Sequence, residues 1–297
     1  MLPMSAGKAT STGQIAVPAR AGIDGRAIVW FGFLLALAYG PVLDRLVRQW
    51  FSDPDMGHGL FVPAVAAYVA WTRRCELAAA PRSVNWWGLP VAVYGSLQML
   101  AGTLGAELFL TRTAFLISLA GALLLLCGPH VLRVLAFPLF LLLFMIPVPR
   151  VIFNEIALPL QLLASQVAET VLAGLGIPVL REGNILELAS QRLNVVEACS
   201  GIRSLLSLSF LALVYAYFFD EKPWMRAVLL AASVPIAILA NAGRVAVTGI
   251  LSEYDTALAE GFFHSAEGWV IFLISLAALF LAHRLINAVY GLARKVR

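Results

Sequence analysis

Three side chains of this chain have the types and spacing for acyl-transfer chemistry. The first is Cys199, in Glu197-Ala198-Cys199-Ser200-Gly201-Ile202-Arg203, at the entry to a long apolar run. A deprotonated thiol is a strong nucleophile, and the positive potential of a helix amino terminus favours the thiolate. Arg203 follows four residues later on the same helix face, where it can hold the thiolate or a substrate carboxylate. The second is Arg244, in Asn241-Ala242-Gly243-Arg244. A guanidinium there can donate to the oxyanion that forms when a carbonyl is attacked, with Asn241 orienting it from the same face. The third is His264, in Phe262-Phe263-His264-Ser265-Ala266-Glu267-Gly268-Trp269. An imidazole can take the thiol proton and return it to a leaving amine, and Glu267 is spaced to orient the ring. Each residue also has a plainer reading. Cys199 is equally a small buried hydrophobe, Arg244 a headgroup anchor, and His264 an interfacial histidine.

A second cluster, Trp50-Phe51-Ser52-Asp53-Pro54-Asp55-Met56-Gly57-His58-Gly59, lies between the first two apolar runs. Its glycines permit close backbone approach, and His58 is a rival base to His264 or a substrate-positioning group. Asp53 and Asp55 suit a basic neighbour or plain solvation. Three cysteines, Cys75, Cys127 and Cys199, are too scattered for a disulfide framework. One thiol and one histidine make a poor ligand set, so no metal and no cofactor is expected.

Something must carry these groups, and the composition says what. The chain has 297 residues, 61% hydrophobic and only 13% charged, with a mean hydropathy of +0.86. A soluble domain would carry about 25% charged residues. The expected fold class is all-α: a polytopic integral membrane helix bundle of about eight transmembrane helices. The crossings are expected near 27–43, 59–71, 86–100, 113–127, 131–146, 200–219, 225–250 and 266–284. Short loops rich in Lys and Arg then fall on the cytoplasmic side and most acids on the other. This arrangement sets Cys199, Arg244 and His264 at one depth on the outer face. Basic residues scattered at segment ends argue for topology and against a nucleic-acid partner. Residues 151–175 are apolar yet hold Asn154, Glu155, Gln161, Gln166 and Glu169. They are expected to form an amphipathic or re-entrant extracytoplasmic segment, with a small hairpin over 185–196. Residues 1–25 form a flexible cytoplasmic tail, 26–285 the membrane domain, and 286–297 a basic cytoplasmic tail.

With those residues in order, the chain resembles the exosortase/archaeosortase family of membrane cysteine transpeptidases. The resemblance rests on Ala198-Cys199-Ser200-Gly201-Ile202-Arg203, Asn241-Ala242-Gly243-Arg244, and His264 with Gly268-Trp269 behind it. His58-Gly59, Phe61-Val62-Pro63 and Ile146-Pro147-Val148-Pro149 add to it. The resemblance implies a catalytic set of Cys199, Arg244 and His264. It also implies a bacterial inner-membrane enzyme with a periplasmic active site, in an envelope that exports polysaccharide. Its partners are membrane lipid and exported proteins that carry a carboxy-terminal sorting signal: a short motif such as Pro-Glu-Pro, a transmembrane helix and a basic tail. The competing classes are another membrane acyl- or glycosyl-transferase and a non-enzymatic transporter or assembly protein. Thiol dependence separates the first of these, and an inverted repeat would favour the second.

Overall fold

The computed structural model describes residues 25–195, 201–254 and 262–296, and within these the side chains of 25, 28, 54, 201–202, 254, 262–267 and 294–296 lie outside the description. The expected tail over 1–25 falls almost wholly outside it. Helix α1 spans Gly25–Ser52 and leads into a 3-10 turn, Pro54–Leu60. Then come α2 (Phe61–Thr72), a short α3 (Arg74–Ala79) and α4 (Gly88–Leu104). Helix α5 spans Leu108–Leu141 and ends in a 3-10 turn, Leu142–Met145. Helix α6 (Arg150–Gly174) precedes three strands, β1 (Val179–Glu182), β2 (Ile185–Leu188) and β3 (Arg192–Asn194). The last helices are α7 (Gly201–Phe219), α8 (Pro223–Tyr254) and α9 (Phe262–Val296). Residues 286–296, expected as a separate tail, continue α9.

Local chemistry sets several boundaries. Asp53 caps the first 3-10 turn by accepting from the Asp55 amide. Glu107 accepts from the Leu110 amide at 3.0 Å and starts α5. Pro149 stands just before α6, where its missing N–H costs nothing.

The direction of each helix follows from what its ends touch. Arg112 Nη2 donates to Gln49 Oε1 at 2.7 Å, and Trp50 Nε1 donates to the Met145 carbonyl at 2.9 Å. A straight helix would hold Arg112 and Met145 about 50 Å apart. Adjacent residues of α1 reach both, so α5 folds back on itself. The reversal is at Gly128, whose φ of 84° and ψ of 176° interrupt the helix. A Cβ there would sit 2.6 Å from the Ser83 carbonyl oxygen, so both conformation and space require glycine.

We call the end that carries Pro54–Leu60 the rim and the opposite end the foot. Helix α2 descends to Arg73, which donates to the Tyr217 hydroxyl at the foot. Helix α4 starts beside Leu125, where the Asn85 amide reaches the Leu125 carbonyl, and climbs until Gly102 meets Thr111. Helix α7 runs from Arg203 at the rim to Asp220 at the foot. Helix α8 climbs from Met225 to Arg244, and α9 descends from Gly268, beside Arg244, to His283, which bonds Asp220. Among the described residues the eight legs are α1, α2, α4, the two arms of α5, α7, α8 and α9. Among the described residues, α1, α5, α6, α8 and α9 are long and apolar enough to cross a membrane. The outer faces of the legs expose residues such as Val29, Leu97, Leu104 and Leu281, a belt suited to lipid.

Helix α6 begins at the rim and packs along upper α8. Arg150 and Asn154 share a cleft with Asp55 and Leu206, while Leu172 packs on Gly249, Val245 and Ala246 of upper α8. The strands close this apolar cluster with Leu186, Leu188 and Leu193. They pair antiparallel in the order β1-β2-β3, one strand more than the expected hairpin.

Candidate active site

The rim is assembled from the first 3-10 turn, the Pro147–Pro149 turn, the amino-terminal part of α6, and the facing ends of α7, α8 and α9. Cys199 lies outside the described residues, two positions before α7 begins. Its helix partner Arg203 does not stand free. Arg203 Nε and Nη2 approach Asp55 Oδ1 at 2.9 and 2.8 Å. This ion pair ties the first 3-10 turn to the start of α7. The acidic cluster thus meets a basic neighbour, one of the two roles expected for it.

Arg244 sits high on α8 and its carbonyl accepts from Thr248 Oγ1 at 3.0 Å. Its guanidinium faces Gly268 across the space of one methyl: a Cβ built on that glycine would be 3.9 Å from Cζ and from Nη1. Gly268 stands one helical turn after the backbone position of His264 in α9. The side chains of His264 and Glu267 are outside the description. Asn241 is buried three residues before Arg244.

His58 belongs to the same rim. Both ring nitrogens are buried without a hydrogen-bond partner. Burial lowers its pKa from the usual value of 6.5, opposed by the nearby carbonyls of Phe144 and Asp55, so the imidazole is neutral at pH 7. Gly59 holds the turn against Trp50: a Cβ there would stand 2.6 Å from the indole Cδ1 and Nε1. The indole is itself fixed by its bond to Met145.

Between these elements opens a cleft of about 660 Å³, lined by Gln49, Asp53, Asp55, Arg150, Asn154 and Leu206 among others. Sequence reasoning had not singled out Gln49, Arg150 or Arg112 for this end. Arg112, an arginine five residues into an apolar helix, was the legible signal. A hydrogen-bonded chain joins these groups. Arg112 donates to Gln49, Gln49 Nε2 to Asp53 Oδ2 at 3.3 Å, and the Asp55 amide to Asp53 Oδ1 at 3.0 Å; Asp55 then holds Arg203.

At the foot, His283 and Asn287 bond the buried Asp220 carboxylate, and Tyr215 bonds His283 Nδ1 at 2.8 Å. Burial pushes the Asp220 carboxyl up, but the hydrogen bonds from His283, the Lys222 amide and Asn287, with the Lys222 charge, outweigh it and hold its pKa to about 2. This network fastens α7 to α9.

No curated protein and no solved structure gives a match. A family model does, under the description Transmembrane exosortase (Exosortase_EpsH), over residues 50–281.

Proposed function

The chain belongs to the transmembrane exosortase family, and from that premise we propose that it is a membrane cysteine peptidase or transpeptidase. It would cut the carboxy-terminal sorting signal of exported proteins at the outer face of the inner membrane. The Cys199 sulfur attacks the scissile carbonyl carbon, and Arg244 donates to the oxyanion that develops. His264 accepts the thiol proton and passes it to the leaving nitrogen as the C–N bond breaks. A thioester on Cys199 and a free amine result. Water then releases an acid, whereas an amine or hydroxyl acceptor takes the acyl group and restores the thiol.

The observation that carries this reading is the guanidinium of Arg244 against Gly268, one turn from His264. An oxyanion donor and a general base at one depth are what acyl transfer needs. Arg203, Asn241, Glu267 and His58 support the set: Arg203 through Asp55, the others by position. His58, neutral and buried, is the alternative base. The deep apolar belt and the rim cleft suit a substrate whose cut site lies just beyond its own transmembrane helix.

The test is processing of such a substrate by the Cys199→Ala protein, with its abundance in the membrane measured in parallel. Abolished cleavage at unchanged abundance supports the thiol mechanism. Normal cleavage in C199A rejects it and leaves a transferase that uses other groups.

A further inference from the structure

Arg112 is 4% exposed, on the upper first arm of α5, inside a segment apolar enough to cross a membrane. A charge so placed is costly unless paired. Its one hydrogen bond, to Gln49, is to a neutral amide oxygen, and its Nε is buried with no partner. Glu107 acts on it through space but uses one carboxylate oxygen to cap Leu110. No carboxylate forms an ion pair with Arg112 among the described residues.

The guanidinium borders a pocket of about 330 Å³ between α1, α4 and α5. A second arginine, Arg45, lines the same pocket, and among the described residues it forms no ion pair, while adjacent Asp44 pairs with Arg48. The remaining walls include Val42, Met99, Leu108 and Thr111. Two cations facing one small apolar chamber fit an anion with a hydrocarbon body. Guanidinium forks match phosphate oxygens, and apolar walls at the edge of a lipid belt favour an acyl chain over water. Exposed Leu37 of α1 and Leu97, Leu100 and Leu104 of α4 extend that apolar surface.

We propose that this pocket binds the phosphate headgroup of a membrane lipid, with Arg112 and Arg45 on the phosphate oxygens and the hydrocarbon along α1 and α4. The site is distinct from the thiol centre and does not depend on the reaction proposed for it. The chain from Arg112 through Gln49 and Asp53 to Asp55 links it to the turn that bears His58. Ligand binding should therefore slow amide exchange in Pro54–Leu60 as well as in the pocket walls.

Native mass spectrometry of the full-length protein in detergent tests this, with phosphatidylglycerol, diacylglycerol of the same chains, and inorganic phosphate as probes. The expected result is a phosphatidylglycerol adduct, none with diacylglycerol, and about tenfold weaker binding in R112Q and R45Q. V42W, which fills the chamber from the lipid-facing helix, should weaken it similarly. If R112Q does not fold, R45Q and V42W decide. Undiminished phosphatidylglycerol binding in these variants overturns the site. Inorganic phosphate binding as tightly as the lipid would overturn the lipid and leave a free anion as the ligand.

Discussion

At the residue scale, the arrangement that matters most is a charged group laid against a glycine. Gly268 leaves a gap before the Arg244 guanidinium about one methyl wide: a Cβ there would meet it at 3.9 Å. A methyl fits there, but a larger side chain must push the guanidinium aside. G268A should therefore cleave substrate nearly normally, whereas G268L should lose about as much rate as R244K. Loss of a pre-positioned oxyanion donor costs about a hundredfold or more, and lysine cannot copy the fixed fork. Steady-state cleavage rates at matched expression decide, and a G268L enzyme of full activity would separate Arg244 from the chemistry. His58 gives a prediction in pH. The unfolded chain protonates that imidazole near pH 6.5, while the buried ring resists until lower pH. Between those values the unfolded state holds more protons, so stability rises with pH there and is lost as pH falls. Thermal unfolding at a series of pH values should show that slope, and H58Q should flatten it. The candidates for these roles come from residue type in the sequence. Residue type marked Cys199, Arg244, His264 and His58, and Asp55 stood out as an acid beside them. The pairing of Asp55 with Arg203 joins residues 148 positions apart and has no local signature.

At the element scale, apolar runs and their breakers foretold the helices well because lipid permits so few alternatives. The gap between crossings at 127 and 131 was visible as Gly128-Pro129, and the chain does reverse there. Helix ends were less visible: α1 runs nine residues past its expected end at 43, to Ser52, since Trp50 is buried beneath the rim turn. The extra strand was missed because Val179–Glu182 is short and its burial comes from α6, not from its own pattern. The polar side chains of residues 151–175 argue for an interfacial or re-entrant element, whereas the α6 they form is long and apolar enough to cross a membrane. The sharpest prediction at this scale concerns the reversal. Gly128 adopts a conformation nearly closed to other residues and faces the Ser83 carbonyl. G128A should destabilise the protein by roughly 1–3 kcal/mol, measured as a lower unfolding temperature in detergent. The same change at Gly174, with open space around its Cβ position, should be near neutral.

At the scale of the whole molecule, polar groups gather at two ends and an apolar waist separates them. The foot is locked by Asp220, His283, Asn287 and Lys222, and the rim by the chain from Arg112 to Arg203. Each leg that starts in one set finishes in or near the other, so a membrane around the waist would put the two sets on opposite faces. Native cysteines report on this directly. Cys75 is exposed on α3, just past Arg73 at the foot, while Cys199 immediately precedes the helix whose Arg203 is held at the rim. An impermeant thiol probe applied to vesicles of known orientation should label Cys75 from one side and Cys199 from the other. C75A and C199A variants assign each signal, and the buried Cys127 should stay unlabelled in both. Labelling of both sites from the same side would mean that one leg between them does not cross, or that α6 does. The short α2 cannot be that leg, because it precedes both cysteines; the candidate legs are α4 and either arm of α5. Such a result would move the thiol to the cytoplasmic face, out of reach of an exported substrate.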